Sequence, residues 1–269
     1  MNLFDRVTRQ GQLLFGVAIT AFGAEHLVCA RFGQSVVPVI PWVPGNHPWF
    51  AYLVGIGLLV AGFNIETKIR SHIASAAIAV FLFGCFLVLW IPQLIAAPLD
   101  LGIRTRAFET LTLCAAASML AGTHAGHSTG LWRNSASLLV SIGRYFFAIS
   151  AVIFGVDHFF ILGFIASLIP NWIPFHMFWA WFTGTAFIAA GLSIATGWKA
   201  RWGATWLGIM FFLWFVLLHA PRVLSAPRSH DPNEWSSAFI ALGICGGSWI
   251  CASAMSRRRQ LRVLAAKAA

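Results

Sequence analysis

Two acids in this sequence stand inside apolar runs, each followed directly by a histidine: Phe22-Gly23-Ala24-Glu25-His26 and Phe154-Gly155-Val156-Asp157-His158. An ionised side chain at membrane depth costs at least about 2.5–3.5 kcal/mol on insertion scales, so it faces a protein interior and takes a partner there. Consecutive helical residues point about 100° apart, which lets the acid and the imidazole serve different neighbours. For Asp157 the sequence offers the guanidinium of Arg222, at the outer end of a later apolar run, as a bidentate partner. Gln93 occupies the matching earlier place, leaving Glu25 to Gln93, Arg104, Arg106 or a proton of its own. His219, one turn before Arg222, adds a third imidazole that with His26 and His158 can wall one outward-facing cavity. These groups suit either of two roles: internal ion pairs and inter-helix hydrogen bonds, or a site that holds a ligand and moves protons. Facing histidines can also ligate a haem, but no HxxxH or ExxH spacing occurs within a helix, so neither haem nor a metal centre is expected.

The elements that must position these residues follow from composition. Of 269 residues, 59% are hydrophobic and 10% charged, too little polar surface to cover a soluble globule of that size. Apolar runs of about twenty residues near 12–30, 49–65, 72–96, 104–122, 143–164, 176–196, 201–221 and 235–254 predict an all-α integral membrane protein of eight transmembrane helices. Glu25 and Asp157 then lie well inside spans, with Asp100, Glu109, Asp231 and Glu234 in connectors or near helix ends. The first run lacks a small-residue cleavage signature and reads as a retained helix. Lys and Arg cluster on one side, at 66–71, 123–144, 197–201 and both termini, against Arg31, Arg104, Arg106, Arg222 and Arg228 on the other. By the positive-inside rule both termini are cytoplasmic. The net charge of +10 is therefore a matter of topology and lipid headgroups, with the bilayer as partner and no nucleic acid. All five cysteines fall in apolar runs without a CxxC pair in a loop, which argues against thiol–disulfide exchange.

The chain also resembles itself at a period of about 130 residues. Beyond the two acid–His elements, Trp42-Val43-Pro44 matches Trp172-Ile173-Pro174, His47 falls opposite His176, Gly55 and Gly62 match Gly184 and Gly191, and Pro92 matches Pro221. The organisation predicted is a first four-helix unit over 1–122, a cytoplasmic linker over 123–142, a second unit over 143–256 and a basic tail over 257–269. Four spans per unit give the two units one orientation, related by a pseudo-twofold axis along the membrane normal. The Gly pairs predict close helix packing. The Pro- and Trp-rich loops 36–49 and 167–176, with Trp42, Pro44, Trp172, Pro174 and His176, read as interfacial lids, serving as headgroup anchors or as gates to a cavity.

On the Gly-x-acid-His element and the segments Ile169-Pro170-Asn171-Trp172-Ile173-Pro174 and Phe178-Trp179-Ala180-Trp181-Phe182-Thr183-Gly184, the chain resembles the DoxX-like family of small bacterial membrane proteins. The later half is the closer match. The resemblance implies a four-helix unit in a bacterial inner membrane and an association with membrane redox complexes, including a thiosulfate:quinone oxidoreductase subunit. The first functional expectation is thus a redox-associated subunit that binds a quinone or similar lipophile near the extracytoplasmic face, with Asp157, His158, His219 and Arg222 around its polar head. The alternative is a non-catalytic transporter, channel or assembly partner in which Glu25 and Asp157 carry protons or bind a cation, although no helix reads as clearly broken in mid-membrane.

Overall fold

The computed structural model describes residues 3–29, 48–125, 131–225 and 232–268, and all regular structure among them is helical. In chain order the helices are α1 (Leu3–Cys29), α2 (Pro48–Thr67), α3 (Ser71–Cys85), α4 (Ile91–Ala96), α5 (Leu101–Ala125), α6 (Leu131–Phe160), α7 (Leu162–Leu168), α8 (His176–Thr196), α9 (Ala200–Trp214), α10 (Ala220–Ser225) and α11 (Pro232–Ala268). A π-helical turn, Phe86–Trp90, joins α3 to α4, and a second, Phe215–His219, joins α9 to α10. Each joined pair therefore runs as one rod. The segment 123–142, expected as a linker, is largely helical because α6 already begins at Leu131, and α11 carries the basic tail on to Ala268. Of the expected lids, the first, with Trp42, Pro44 and His47, lies outside the described residues.

Among the described residues, seven helices are long and apolar enough to cross a membrane: Arg9–Cys29, Pro48–Thr67, Ser71–Ala96, Ser135–Phe160, His176–Thr196, Ala200–Ser225 and Glu234–Ser256. This is a multi-pass, all-α membrane architecture. The expected span that falls short is α5, and its position gives the reason. Every residue from 110 to 122 is buried, with α3, α6 and α11 packed around it. A helix that meets protein in place of lipid needs small, close-packing side chains more than large apolar ones, and the run Cys114-Ala115-Ala116-Ala117-Ser118 supplies them.

Packing follows a closed circuit: α1 on α2, α2 on α3, α3 on α5, α5 on α6, α6 on α8, α8 on α9, α9 on α11, and α11 back on α1. The contact of α5 with α11 divides this circuit into two lobes that share those two helices as a common wall. The shared helices run parallel, since an added Cβ at Gly243 would meet Leu113 and one at Gly247 would meet Ala116. Where α1 crosses α2, a Cβ at Gly23 would sit 2.7 Å from the Gly55 carbonyl oxygen. Where α6 crosses α8, one at Gly155 would sit 2.7 Å from that of Gly184. Glycine is required at both crossings because backbone meets backbone there.

Local details recur at one constant offset. Ser71, Phe86 and Ile91 open three successive helical segments, and Ala200, Phe215 and Ala220 open their counterparts. Each π turn is followed within two residues by a proline, Pro92 or Pro221. Proline cannot donate the next helical hydrogen bond and crowds the carbonyl four residues back, and the wider π turn relieves both problems. In the tight turns before α3 and α9, Lys68 (φ 63°) and Arg70 (φ 46°) match Gly197 (φ 84°) and Lys199 (φ 49°). Only at Gly197 does the left-handed backbone come without a Cβ clash.

Candidate functional site

Both embedded acids reach out of their own lobe's helices to the opening turns of the shared wall. The Asp157 carboxylate, on a residue 3% exposed, lies 2.5 Å from Arg104 Nη2 of α5. Glu25 accepts a hydrogen bond from the hydroxyl of buried Ser236 in α11. The expected Asp157–Arg222 pair is not what forms. Asp157 projects toward α5, and the Arg222 guanidinium instead donates to the Leu168 carbonyl at the end of α7, 3.5 Å away. Neither Gln93 nor Arg106 serves Glu25; Gln93 donates to the Leu89 carbonyl of its own helix. The cause is the rotation between neighbouring helical positions: with the histidine turned into its lobe, the acid is left facing the helix that closes the circuit. Glu109, expected near a helix end, sits in the third turn of α5.

The histidines are held alike. His26 Nδ1 donates to the Phe22 carbonyl at 2.7 Å and His158 Nδ1 to the Phe154 carbonyl at 2.8 Å. A carbonyl can only accept, so in both rings the proton is on Nδ1. What surrounds the rings differs. His158 stacks on Trp214 of α9, with centroids 5.7 Å apart and planes 15° from parallel, and its centroid lies 5.1 Å from that of Phe187 of α8. Phe154, Phe187, Phe211 and Trp214 complete an edge-to-face aromatic cluster. Gly184 makes room, its nearest outside neighbour being the His158 Cβ. At the constant offset, Leu58, Leu82 and Cys85 of the first lobe stand where the second has Phe187, Phe211 and Trp214.

Among the described residues, the Asp157 carboxylate oxygens, His158 Nε2 and His219 Nδ1 of the second lobe lack a hydrogen-bond partner, as does the buried Ser75 Oγ of the first. The Arg104–Asp157 contact is thus an ion pair without an aligned hydrogen bond. Unsatisfied buried polar atoms are costly and call for an explanation. His219 closes the second π turn, five positions after Trp214. Its counterpart in the first turn is Trp90, whose indole Nε1 donates to Thr110 Oγ1 at 3.0 Å.

Of the remaining residues singled out in the sequence, Trp172 and Pro174 are exposed in the connector after α7, and His176 opens α8. Trp179 Nε1 donates to the Pro174 carbonyl at 3.1 Å, tying this connector to α8. Arg104 and Trp214 were missed as site residues, along with a deeper pair: Gln12 donates to the Ile65 carbonyl and Arg144 to the Ile194 carbonyl, both at 2.7 Å. The last was legible as a polar residue at one position of two repeats. Among the described residues no cluster of three or more metal-ligating side chains occurs. No family model, no curated protein and no solved structure matches the chain.

Proposed function

We propose that this chain is a DoxX-like protein of a bacterial inner membrane, with eight spans as two parallel four-helix units and both termini cytoplasmic. Its second lobe binds a flat lipophile of the quinone class near the extracytoplasmic face, within a membrane redox complex. In support of two parallel units, the Gln12 and Arg144 contacts, both π turns and both glycine crossings recur at matching positions. Gly11 of α1 meets Gly246, and Gly143 of α6 meets Ala115. Ala116 and Gly247, one step further along, are then equivalent positions in mutual contact, as a twofold axis between parallel helices requires. With α5 counted as a buried eighth span, the charge asymmetry supports the reading of both termini as cytoplasmic.

The observation that carries the ligand reading is the set of buried, unpartnered polar atoms at His158 and His219 beside an aromatic wall. Ligand sites combine apolar and aromatic walls with a few convergent polar groups. Stacking surfaces suit a planar ring, and Arg222 and α7 would close the site from outside. Photolabelling with an azido-quinone analogue in nanodiscs tests this. Label should concentrate on α6, on α9 and on the second π turn, and unlabelled quinone should compete it away. Label spread evenly over lipid-facing residues, indifferent to competitor, would overturn the reading.

A further inference from the structure

Resting on that ligand reading, we infer that His158 meets the ligand as a hydrogen-bond acceptor, so the second lobe takes a lipophile presenting a phenolic hydroxyl, the quinol in preference to the quinone. The ring's one N–H is already used, because Nδ1 donates to the Phe154 carbonyl at 2.8 Å. A neutral imidazole protonated at Nδ1 carries a lone pair at Nε2. His158 is 8% exposed, and its Nε2 has no partner of its own. Arg104 is paired with Asp157, and Arg222 turns toward the Leu168 carbonyl at the end of α7. Trp214 offers the face of its ring to His158. Asp157 is directed to the shared wall. A buried lone pair on an aromatic shelf is matched by an O–H on a flat ring, whereas a carbonyl oxygen there would set two acceptors against each other.

Three probes measured by calorimetry on the full chain in nanodiscs, without oxygen, separate the possibilities: a short-chain benzoquinol, the matching benzoquinone, and the quinol's dimethyl ether. The quinol should bind about tenfold more tightly than the ether, the value of one well-made buried hydrogen bond. His158→Phe should bring that preference below about twofold while ring binding persists, and His26→Phe should leave it intact. If quinone and ether bind as tightly as the quinol, His158 does not act as the acceptor and this inference fails while the lipophile reading survives. Should none of the three bind, both fall together. The ligand series on the unaltered protein decides the matter even where a variant does not fold.

Discussion

The two lobes are built on one backbone plan and filled differently. In the first, Trp90 closes its π turn with a hydrogen bond to Thr110, Glu25 takes a neutral hydroxyl from Ser236, and the interior is lined by Leu58, Leu82 and Cys85. In the second, the same places hold His219 without a partner at Nδ1, an Asp157–Arg104 ion pair, and Phe187, Phe211 and Trp214. A lobe whose π-turn tryptophan and embedded acid both hold hydrogen bonds has the character of a scaffold. A lobe that keeps buried polar atoms unsatisfied among aromatic rings sacrifices stability, and such sacrifices concentrate at functional sites. The contrast also shows where the halves depend on each other, since each acid meets a residue on a helix of the opposite half.

The largest expected effect lies at the second lobe's ion pair. Arg104→Met leaves the Asp157 carboxylate buried without its counter-charge and should cost about 3–5 kcal/mol. The double variant with Asp157→Leu should regain most of that. In the first lobe, Glu25→Gln exchanges one hydrogen-bonded arrangement for another and should cost no more than about 1–3 kcal/mol. Thermal unfolding in one detergent compares them. If Arg222→Met proved as damaging as Arg104→Met, the assignment of Asp157 to α5 would be wrong.

Next come the crossings that the lobes share. Gly23→Ala and Gly155→Ala each drive a methyl group against a neighbouring backbone carbonyl and should each cost about 1–3 kcal/mol. Gly57 and Gly163, with nothing within 4 Å of an added Cβ, should accept alanine silently. The readout is the fraction of each variant recovered as monodisperse protein. A large loss at one crossing and none at the other would mean that the lobes do not share this geometry.

Much of this comparison was legible in the residues. Apolar run length placed the spans, because lipid imposes a minimum length that a reader can count. The acid–His elements marked both inner faces, since embedded charge is rarely incidental. Partner choice was not legible. Asp157 and Arg222 belong to one unit, and proximity within a unit looked the simpler expectation, yet the circuit of helices closes between units and brings Arg104 to the acid. The α5 helix was readable as an apolar run, but its charges and small residues keep it short of a span by composition, and its main contacts are with α3, α6 and α11. His158 could be named from sequence, but its proton could not be placed until the Phe154 carbonyl was found against Nδ1.

The smallest effect is the most discriminating, because the lobes should answer with opposite signs at one equivalent position. Trp90→Phe removes the donor that satisfies Thr110 in a buried setting and should lower stability by about 1 kcal/mol. His219→Phe removes a buried nitrogen that has no partner and keeps a ring of similar size, so stability should hold or rise by up to about 1 kcal/mol. The same substitution should weaken lipophile binding, since a polar group of the site is lost. A rise in the unfolding temperature together with weaker binding would identify His219 as a residue kept for the ligand at the expense of the fold. Equal losses of stability from both substitutions would mean that His219 is satisfied as Trp90 is, and the distinction between a scaffold lobe and a binding lobe would then rest on the aromatic cluster alone.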